Sequence, residues 1–395
     1  MFFKPKSILG FDIGAGGVKL VELRMEKNRP VLHTYGMTTE KHDVHQLSEH
    51  QIFNVSGSGV AKQLNSQMEQ NNVLGKDDSP VPLQKTTSSI DEKKVDEYAQ
   101  KLKDVCKASK VISKTAIVSL PVSSVFHAIV TLPLTKDSNE LDRLIKAEVK
   151  KFVPFPLNEM SLDHQILNGY DKEKSRTQKI LVNAVPNKLI SFYAKIFKKA
   201  GITLEALEPE SAALSRSLVG RDKSVSMIVD MGAERTNFFI IDNAVPITNQ
   251  TIDFGGHKVD RILQNILGIE EELVEQVKND IFGYYASQNP KILSKEKFFD
   301  IFLPVVDPII KEIDLSFALY ARQMGERAKP EKIILSGGMA FMPYLVNYIA
   351  DKFQVKCYIG DPWARTVYPQ SLKPVLHKIG PRMAVAIGLA LRNMV

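Results

Sequence analysis

Two aspartates stand in the same setting at distant points of the chain. Asp12 closes the apolar run Ile8-Leu9-Gly10-Phe11 and opens a turn holding Gly14, Gly16 and Gly17. Asp230 closes Met227-Ile228-Val229 and opens a turn holding Gly232 and Thr236. A carboxylate at a strand end can order a hydrated divalent cation, and a glycine turn lets backbone amides approach an anion closely. Lys19, seven residues after Asp12, puts an ammonium within reach of a phosphate. Alone, an Asp before Gly at a strand end is an ordinary turn. Its repetition as Asp12-x-Gly14 and Asp230-x-Gly232 points to a duplicated fold, with the two turns facing each other across a nucleotide cleft.

The elements that must position these residues follow from the hydrophobic period. Residues 8–23 read as a β-hairpin, because Val18, Leu20, Val21 and Leu23 return as a strand. That excludes the dinucleotide-binding fingerprint, which needs a helix after its glycine turn. Residues 225–241 read as a second hairpin, and 30–36 and 245–251 extend the two sheets. Phe254-Gly255-Gly256 leads into a helix over 258–267 that Gly268 ends. A helix over 272–278 places Glu275 and Lys278 one turn apart, the spacing of a surface ion pair. A long helix covers 302–323. Residues 333–335 are a buried strand running into Ser336-Gly337-Gly338, followed by a helix over 343–353 with Pro343 in its first turn. Such a glycine pair is turn chemistry, or it lets a purine or phosphate lie against the backbone.

Between the hairpins, strands at 115–120, 125–132, 162–167 and 180–185 and an amphipathic helix at 139–152 make 114–185 a compact inserted unit. The helix stops at Val153-Pro154-Phe155-Pro156. Residues 187–200 form a helix capped by Asn187 and terminated at Gly201. Two small-residue stretches, 208–214 and 381–394, read as helices suited to close packing on each other. Residues 38–94 differ in character: they are polar, carry SGSG at 56–59, lack apolar periodicity and read as loop.

With 395 residues, 44% of them hydrophobic, the chain suits two α/β domains with substantial cores. Its net charge of +7 is spread along the sequence and does not imply nucleic-acid binding. Lys195, Lys198 and Lys199 read as a solvated helix face, with attraction to an anionic membrane leaflet as a minor reading. Cys106 and Cys357 are isolated, lack metal-ligand spacing and suit a reducing compartment. Asp12 interrupts the first apolar run, so no signal peptide is read, and no run reaches the roughly 18–20 residues that span a bilayer. The expectation is a cytoplasmic protein.

Together these motifs resemble the actin-like ATPase superfamily of actin, the heat-shock chaperone ATPase domain, sugar kinases and the division protein FtsA. FDIGAGGVK and VDMGAERTN look like its two phosphate motifs, LSGGMAFMP like its adenosine motif, and EPESAAL and AVAIGLAL like its connecting helices. Within the superfamily the chain is similar to the PilM family of type IV pilus assembly. EVKKFVPFPLNEMSLDHQIL at 148–167, FGGHKVDRIL and GPRMAVAIGLALRNMV carry that similarity, whereas 38–94 is longer and more polar than the family pattern.

The resemblance implies a fold class: α/β, a duplicated actin-like (ribonuclease H-like) ATPase fold with two domains around a nucleotide cleft. It implies a first domain core over 1–113, an inserted subdomain over 114–185, and the core resuming over 186–222 with a connecting helix. A second domain follows over 223–378, with 256–328 its smaller part, and a closing helix over 379–395. ATP and Mg²⁺ are the implied cofactors, the ion held through its waters by Asp12 and Asp230. Gly14, Gly16, Lys19, Gly232 and Thr236 would meet the phosphates, with Gly255 and Gly256 near phosphates or ribose. Glu275 and Lys278 would meet ribose and base, and Gly337 and Gly338 the adenosine. Glu208 would orient an attacking water, Glu210 being a second candidate. Any turnover would be slow, resting on positioning and charge.

The implied partner is the amino-terminal tail of a PilN-like single-pass inner-membrane protein, bound beside the inserted subdomain. Pilus motor ATPases and other assembly components are further implied partners. The chain would then sit at the cytoplasmic face of the inner membrane, peripheral to it. The alternatives are an FtsA-like filament-forming division protein and, behind it, a metabolic kinase of the superfamily. The FtsA-like reading expects a membrane-tethering helix after the closing helix, and the sequence stops at Asn393-Met394-Val395.

Overall fold

The computed structural model describes residues 7–38, 91–153, 155–167, 176–270, 273–274, 295–325, 328–342 and 344–394, with backbone only at 295–302 and 305. Most of the polar stretch 38–94, the helix expected at 272–278 apart from the helical residues 273–274, with Glu275 and Lys278, and Pro154 and Pro343 lie outside the described residues. The chain forms two compact units. The first comprises 1–42, 101–122 and 201–395; the second comprises 43–100 and 123–200.

The first unit is built twice over. Strands β1 (Ser7–Gly14), β2 (Gly17–Glu26) and β3 (Arg29–Met37) form an antiparallel meander, to which β4 (Thr115–Leu120) and β8 (Thr203–Pro209) add in parallel. The sheet order is β3-β2-β1-β4-β8. Strands β9 (Ser226–Met231), β10 (Thr236–Asp242), β11 (Val245–Ile252), β12 (Lys332–Gly337) and β13 (Lys356–Ile359) repeat it as β11-β10-β9-β12-β13. The repetition reaches the turns. Lys27-Asn28 and Asn243-Ala244 close the two outer hairpins, all four with positive φ, the primed-turn geometry that matches strand twist. Each outer pair also carries one register shift, at Glu22/Leu23 and at Ile240/Ile241.

Helix α4 (Glu210–Leu214) continues as a wider turn over 215–219, and α8 (Lys373–Ala390) closes the fold. The two meet backbone to backbone: a Cβ on Gly388 would stand 1.9 Å from the Ala213 carbonyl oxygen. A Cβ on Gly10 of β1 would stand 2.0 Å from the Ala386 oxygen, so α8 also lies directly on the first sheet. Only glycine allows either approach. The helix starts at Lys373, earlier than the expected 379, because Pro374 occupies its first turn while Pro381 is accommodated inside. Ala213, Leu214, Met383, Ala384, Ile387 and Leu391 join Ile8, Val21, Ile228 and Phe239 in one buried cluster.

Helices α5 (Gly256–Leu267), α6 (Lys295–Met324) and α7 (Leu345–Phe353) complete the described part of this unit. Gly268 in the left-handed region ends α5, as its position after the last apolar residue predicts.

In the second unit β5 (Phe126–Pro133), β7 (Thr177–Pro186) and β6 (Met160–Ile166) form an antiparallel sheet of order β5-β7-β6. Helix α2 (Ser138–Val149) is capped by the Asp137 carboxylate, which accepts from the Asn139 N–H at 2.8 Å. It packs Leu141, Ile145 and Val149 on Val130, Ile180 and Val182 of the sheet. Helix α3 (Asn187–Ala200) places Lys195 and Lys199 on Glu92 and Asp96 of α1 (Glu92–Ala108), so two of the lysines read as a solvated face are ion-paired. The inserted sheet therefore begins after β4. Strand β4, expected within the insertion, pairs with β1 and β8 of the first sheet instead.

Candidate functional site

The β1–β2 register pairs Gly14 with Gly17, leaving Ala15 and Gly16 as the turn, and Asp12 sits two residues before Gly14. The corresponding β9–β10 turn runs from Gly232 to Arg235 and is closed by the Gly232 N–H donating to the Arg235 oxygen at 2.8 Å. A Cβ on Gly16 would stand 3.1 Å from the Ala233 Cβ, so the two turns meet.

Each aspartate has a serine beside it on the neighbouring parallel strand. The Ser119 hydroxyl of β4 donates to Asp12 Oδ1 at 3.2 Å, and Ser336 of β12 stands in register beside Asp230 with its hydroxyl donating to the Pro381 oxygen at 3.2 Å. Both serines are the fifth residue of their strands, TAIVSL and KIILSG. Comparing those two strands would have found them; reading each alone did not.

Lys19 donates to Asp12 Oδ2 at 2.8 Å. Glu210, at the start of α4, lies close enough to Asp12 and Asp230 for their charges to act on it, and the Asn237 amide donates to its Oε2 at 3.3 Å. Three carboxylates thus share one ammonium. Desolvation, and then Asp12 and Asp230, push the Glu210 carboxyl well above the usual range. Desolvation, and then Asp12, raise Asp230 to about 6, against the opposing influence of the neighbouring Ser336 hydroxyl and the Lys19 charge. Burial alone would lower the Lys19 ammonium, but Asp12 overrules it and the net shift is upward.

Glu208 is elsewhere. Arg216 grips its two oxygens at 3.0 and 3.1 Å, Arg392 adds a third contact at 3.1 Å, and Arg216 also donates to the Gly388 oxygen at 2.6 Å. This carboxylate and Arg216 tie the end of β8 and the turn after α4 to the end of α8 and to Arg392 beyond it. The acid facing the aspartates is Glu210.

Thr236 is fully buried and its hydroxyl is committed to the Phe254 oxygen at 2.6 Å. Gly255 packs on the second turn, where a Cβ would fall 2.5 Å from the Glu234 carbonyl carbon. The N–H groups of Gly256 and His257 donate to the Gly232 and Ala233 oxygens at 2.9 and 2.8 Å. These residues buttress the turn from behind. Gly337 has φ +84 and a Cβ there would strike the Met231 oxygen at 2.3 Å, so it secures the β12–β9 pairing. Gly338 lies beside the Arg382 guanidinium.

Sequence reading also missed Thr38. Its hydroxyl accepts from the Val18 N–H at 3.0 Å and its own N–H donates to the Val18 oxygen at 2.8 Å. Gly17, at φ +117, has the Thr38 oxygen 2.0 Å from where a Cβ would be. The end of β3 is thereby clamped on the first turn.

Among the described residues no three His, Cys, Asp or Glu side chains gather tightly enough to enclose a bare metal ion. An oxygen-only cluster with excess negative charge fits a hard cation that keeps its water.

A twice-repeated five-stranded sheet, each first strand ending in an aspartate at a glycine turn, with two helices crossing at glycine, defines an actin-like α/β fold. The family described as type IV pilus assembly protein PilM matches residues 78–394, and the chain belongs to that family. A solved PilM–PilN type IV pilus biogenesis complex superposes with a TM-score of 0.71 at 19% identity, covering 99% of this chain and 100% of the other. Ethanolamine utilization protein EutJ from Carboxydothermus hydrogenoformans gives 0.48 at 12% identity, covering 98% and 90%. MreB5 of Spiroplasma citri bound to ADP gives 0.43 at 12%, covering 97% and 94%.

Proposed function

We propose that this chain is an ATP-binding scaffold of a type IV pilus assembly complex, whose nucleotide state sets its grip on a PilN-like membrane protein. The observation that carries the nucleotide reading is the meeting of Asp12, Asp230, Glu210 and Lys19 beneath two glycine turns contributed by the two repeats. Asp12 and Asp230 would hold Mg²⁺ through its waters, Gly14, Gly16 and Lys19 would meet the phosphates, and Glu210 would orient water. Gly337 and Gly338 would border the adenosine. Bound Mg²⁺ would neutralise phosphate charge. Membership of the PilM family, with the likeness to the PilM–PilN complex, supports the amino-terminal tail of a PilN-like protein as partner. Pilus motor ATPases and other assembly components are further proposed partners. A peripheral place beneath that partner, at the cytoplasmic face of the inner membrane, belongs to the same proposal. No helix among the described residues is long and apolar enough to cross a membrane.

Calorimetry with ATP and Mg²⁺ on wild type, Asp12→Ala and Asp230→Ala tests the first part. Micromolar-range binding that weakens at least tenfold in both folded variants is the expected result. A synthetic PilN-like tail peptide titrated with and without nucleotide tests the second. Equal peptide affinity in both states would leave a scaffold without a nucleotide switch.

A further inference from the structure

We infer that Lys19 is a cation stand-in: it neutralises the Asp12–Asp230–Glu210 cluster until a divalent cation arrives, and then exchanges Asp12 for the anion that accompanies the metal. The exchange rests on the nucleotide reading above; the stand-in role is testable without nucleotide.

Asp12 is only 5% exposed and both its oxygens are already engaged, Oδ2 by the Lys19 ammonium at 2.8 Å and Oδ1 by the Ser119 hydroxyl at 3.2 Å. Each oxygen keeps a second lone pair, so what a hydrated cation meets at Asp12 is the charge of its neighbours rather than a lack of acceptor sites. Of the two donors, the charged one is the one it repels. The ammonium feels Asp12, Asp230 and Glu210 together, so its departure exposes all three carboxylates to the incoming charge. The other basic side chain of the two turns, Arg235, is tied to Asp253 at 3.0 Å. Nothing else described on those turns supplies the charge.

The position of the pair explains where the ammonium goes. A Cβ on Gly14 would stand 3.6 Å from Lys19 Nζ and 3.8 Å from Asp12 Oδ1. The ion pair therefore lies immediately under the glycine turn, and an anion cradled by that turn is within reach of a side-chain rotation. No strand has to move. Lys19 then serves two partners in succession, a carboxylate before loading and a phosphate-like oxyanion after it.

The test uses Mn²⁺ alone on the full chain, comparing wild type with Lys19→Met, Lys19→Gln and Lys19→Arg. Calorimetry and Mn²⁺ paramagnetic resonance should show the two neutral variants binding the ion on the order of tenfold more tightly than wild type and Lys19→Arg. Their melting temperatures should rise more with the ion. In a second arm, ATP with chelator should bind wild type and lose at least tenfold in the neutral variants, with part of that loss recovered by Mg²⁺. Neutral variants that fold only with Mn²⁺ present would carry the same conclusion. Mn²⁺ binding no tighter than in wild type, or neutral variants unfolded with and without the ion, would overturn the stand-in role. Wild type that fails to bind ATP while the Mn²⁺ difference persists would overturn the nucleotide reading and the exchange, and leave Lys19 as counter-ion.

Discussion

Glu208 and Glu210, two residues apart where β8 becomes α4, belong to separate networks: Glu208 to Arg216 and Arg392, Glu210 to the aspartates. Glu208→Gln strips two guanidinium groups of their shared carboxylate and should cost about 2–3 kcal/mol of stability. Glu210→Gln relieves a crowded negative cluster and should leave stability within about 1 kcal/mol of wild type or raise it. Any ATP turnover should fall at least 100-fold in Glu210→Gln with binding retained. Urea denaturation beside single-turnover assays separates the two residues; a stable, inactive Glu208→Gln would reverse the assignment.

The raised carboxyl of Asp230 makes stability depend on pH in a direction opposite to acid denaturation. An acid whose folded-state pKa lies above its unfolded value stabilises the fold at low pH, and that contribution is lost as pH rises through about 6. In metal-free buffer the protein should lose about 1–2 kcal/mol between pH 5 and 7.5 from Asp230, with Glu210 acting in the same sense. Asp230→Asn should flatten that slope and stabilise the metal-free protein at pH 7.5. Urea melts at the two pH values check the sign.

Gly388→Ala should be among the most damaging single methyl additions in the chain. Its Cβ would overlap the Ala213 oxygen at 1.9 Å, and neither backbone can retreat without opening the α4–α8 crossing. A loss of about 3 kcal/mol or more is expected. Gly201→Ala is the control: φ is +73 but nothing lies within 4 Å of the new Cβ, so left-handed strain alone, about 1 kcal/mol, should be seen. Equal losses at the two sites would show that the close crossing opens freely.

Thr38→Val removes the acceptor for the Val18 N–H while keeping the shape of the side chain. The loss should be about 1 kcal/mol of stability and several-fold in ATP affinity, through a loosened first turn. Thr38→Ser should restore both. Recovery of stability without recovery of affinity would separate the clamp from the site.

What was legible in the sequence was whatever repeats locally. The two Asp-x-Gly turns, the strands around them and the small-residue helices carry their signal within a dozen residues. Long-range pairing was not legible. Strand β4 adjoins the insertion in sequence, yet its partners are β1, about a hundred residues earlier, and β8, across the insertion. Glu208 and Glu210 could not be told apart, because the face each presents depends on where the strand turns into helix at Pro209. The turns Lys27-Asn28 and Asn243-Ala244 lack the glycine that advertises positive φ. Thr236 and Gly256 resemble phosphate contacts in sequence, but their polar groups are spent on Phe254 and Gly232.

Strand β8 lies parallel to β4, and the chain from Val122 to Gly201 runs between them. Parallel neighbours always demand a crossover, and here that connection carries the second unit's three-stranded sheet as cargo. That cargo can be enlarged or exchanged without rewriting one backbone bond of the strands that hold Asp12 and Ser119. The crossover works as a socket, since the sheet plugged into it shares no strand with the sheet that holds Asp12 and Ser119.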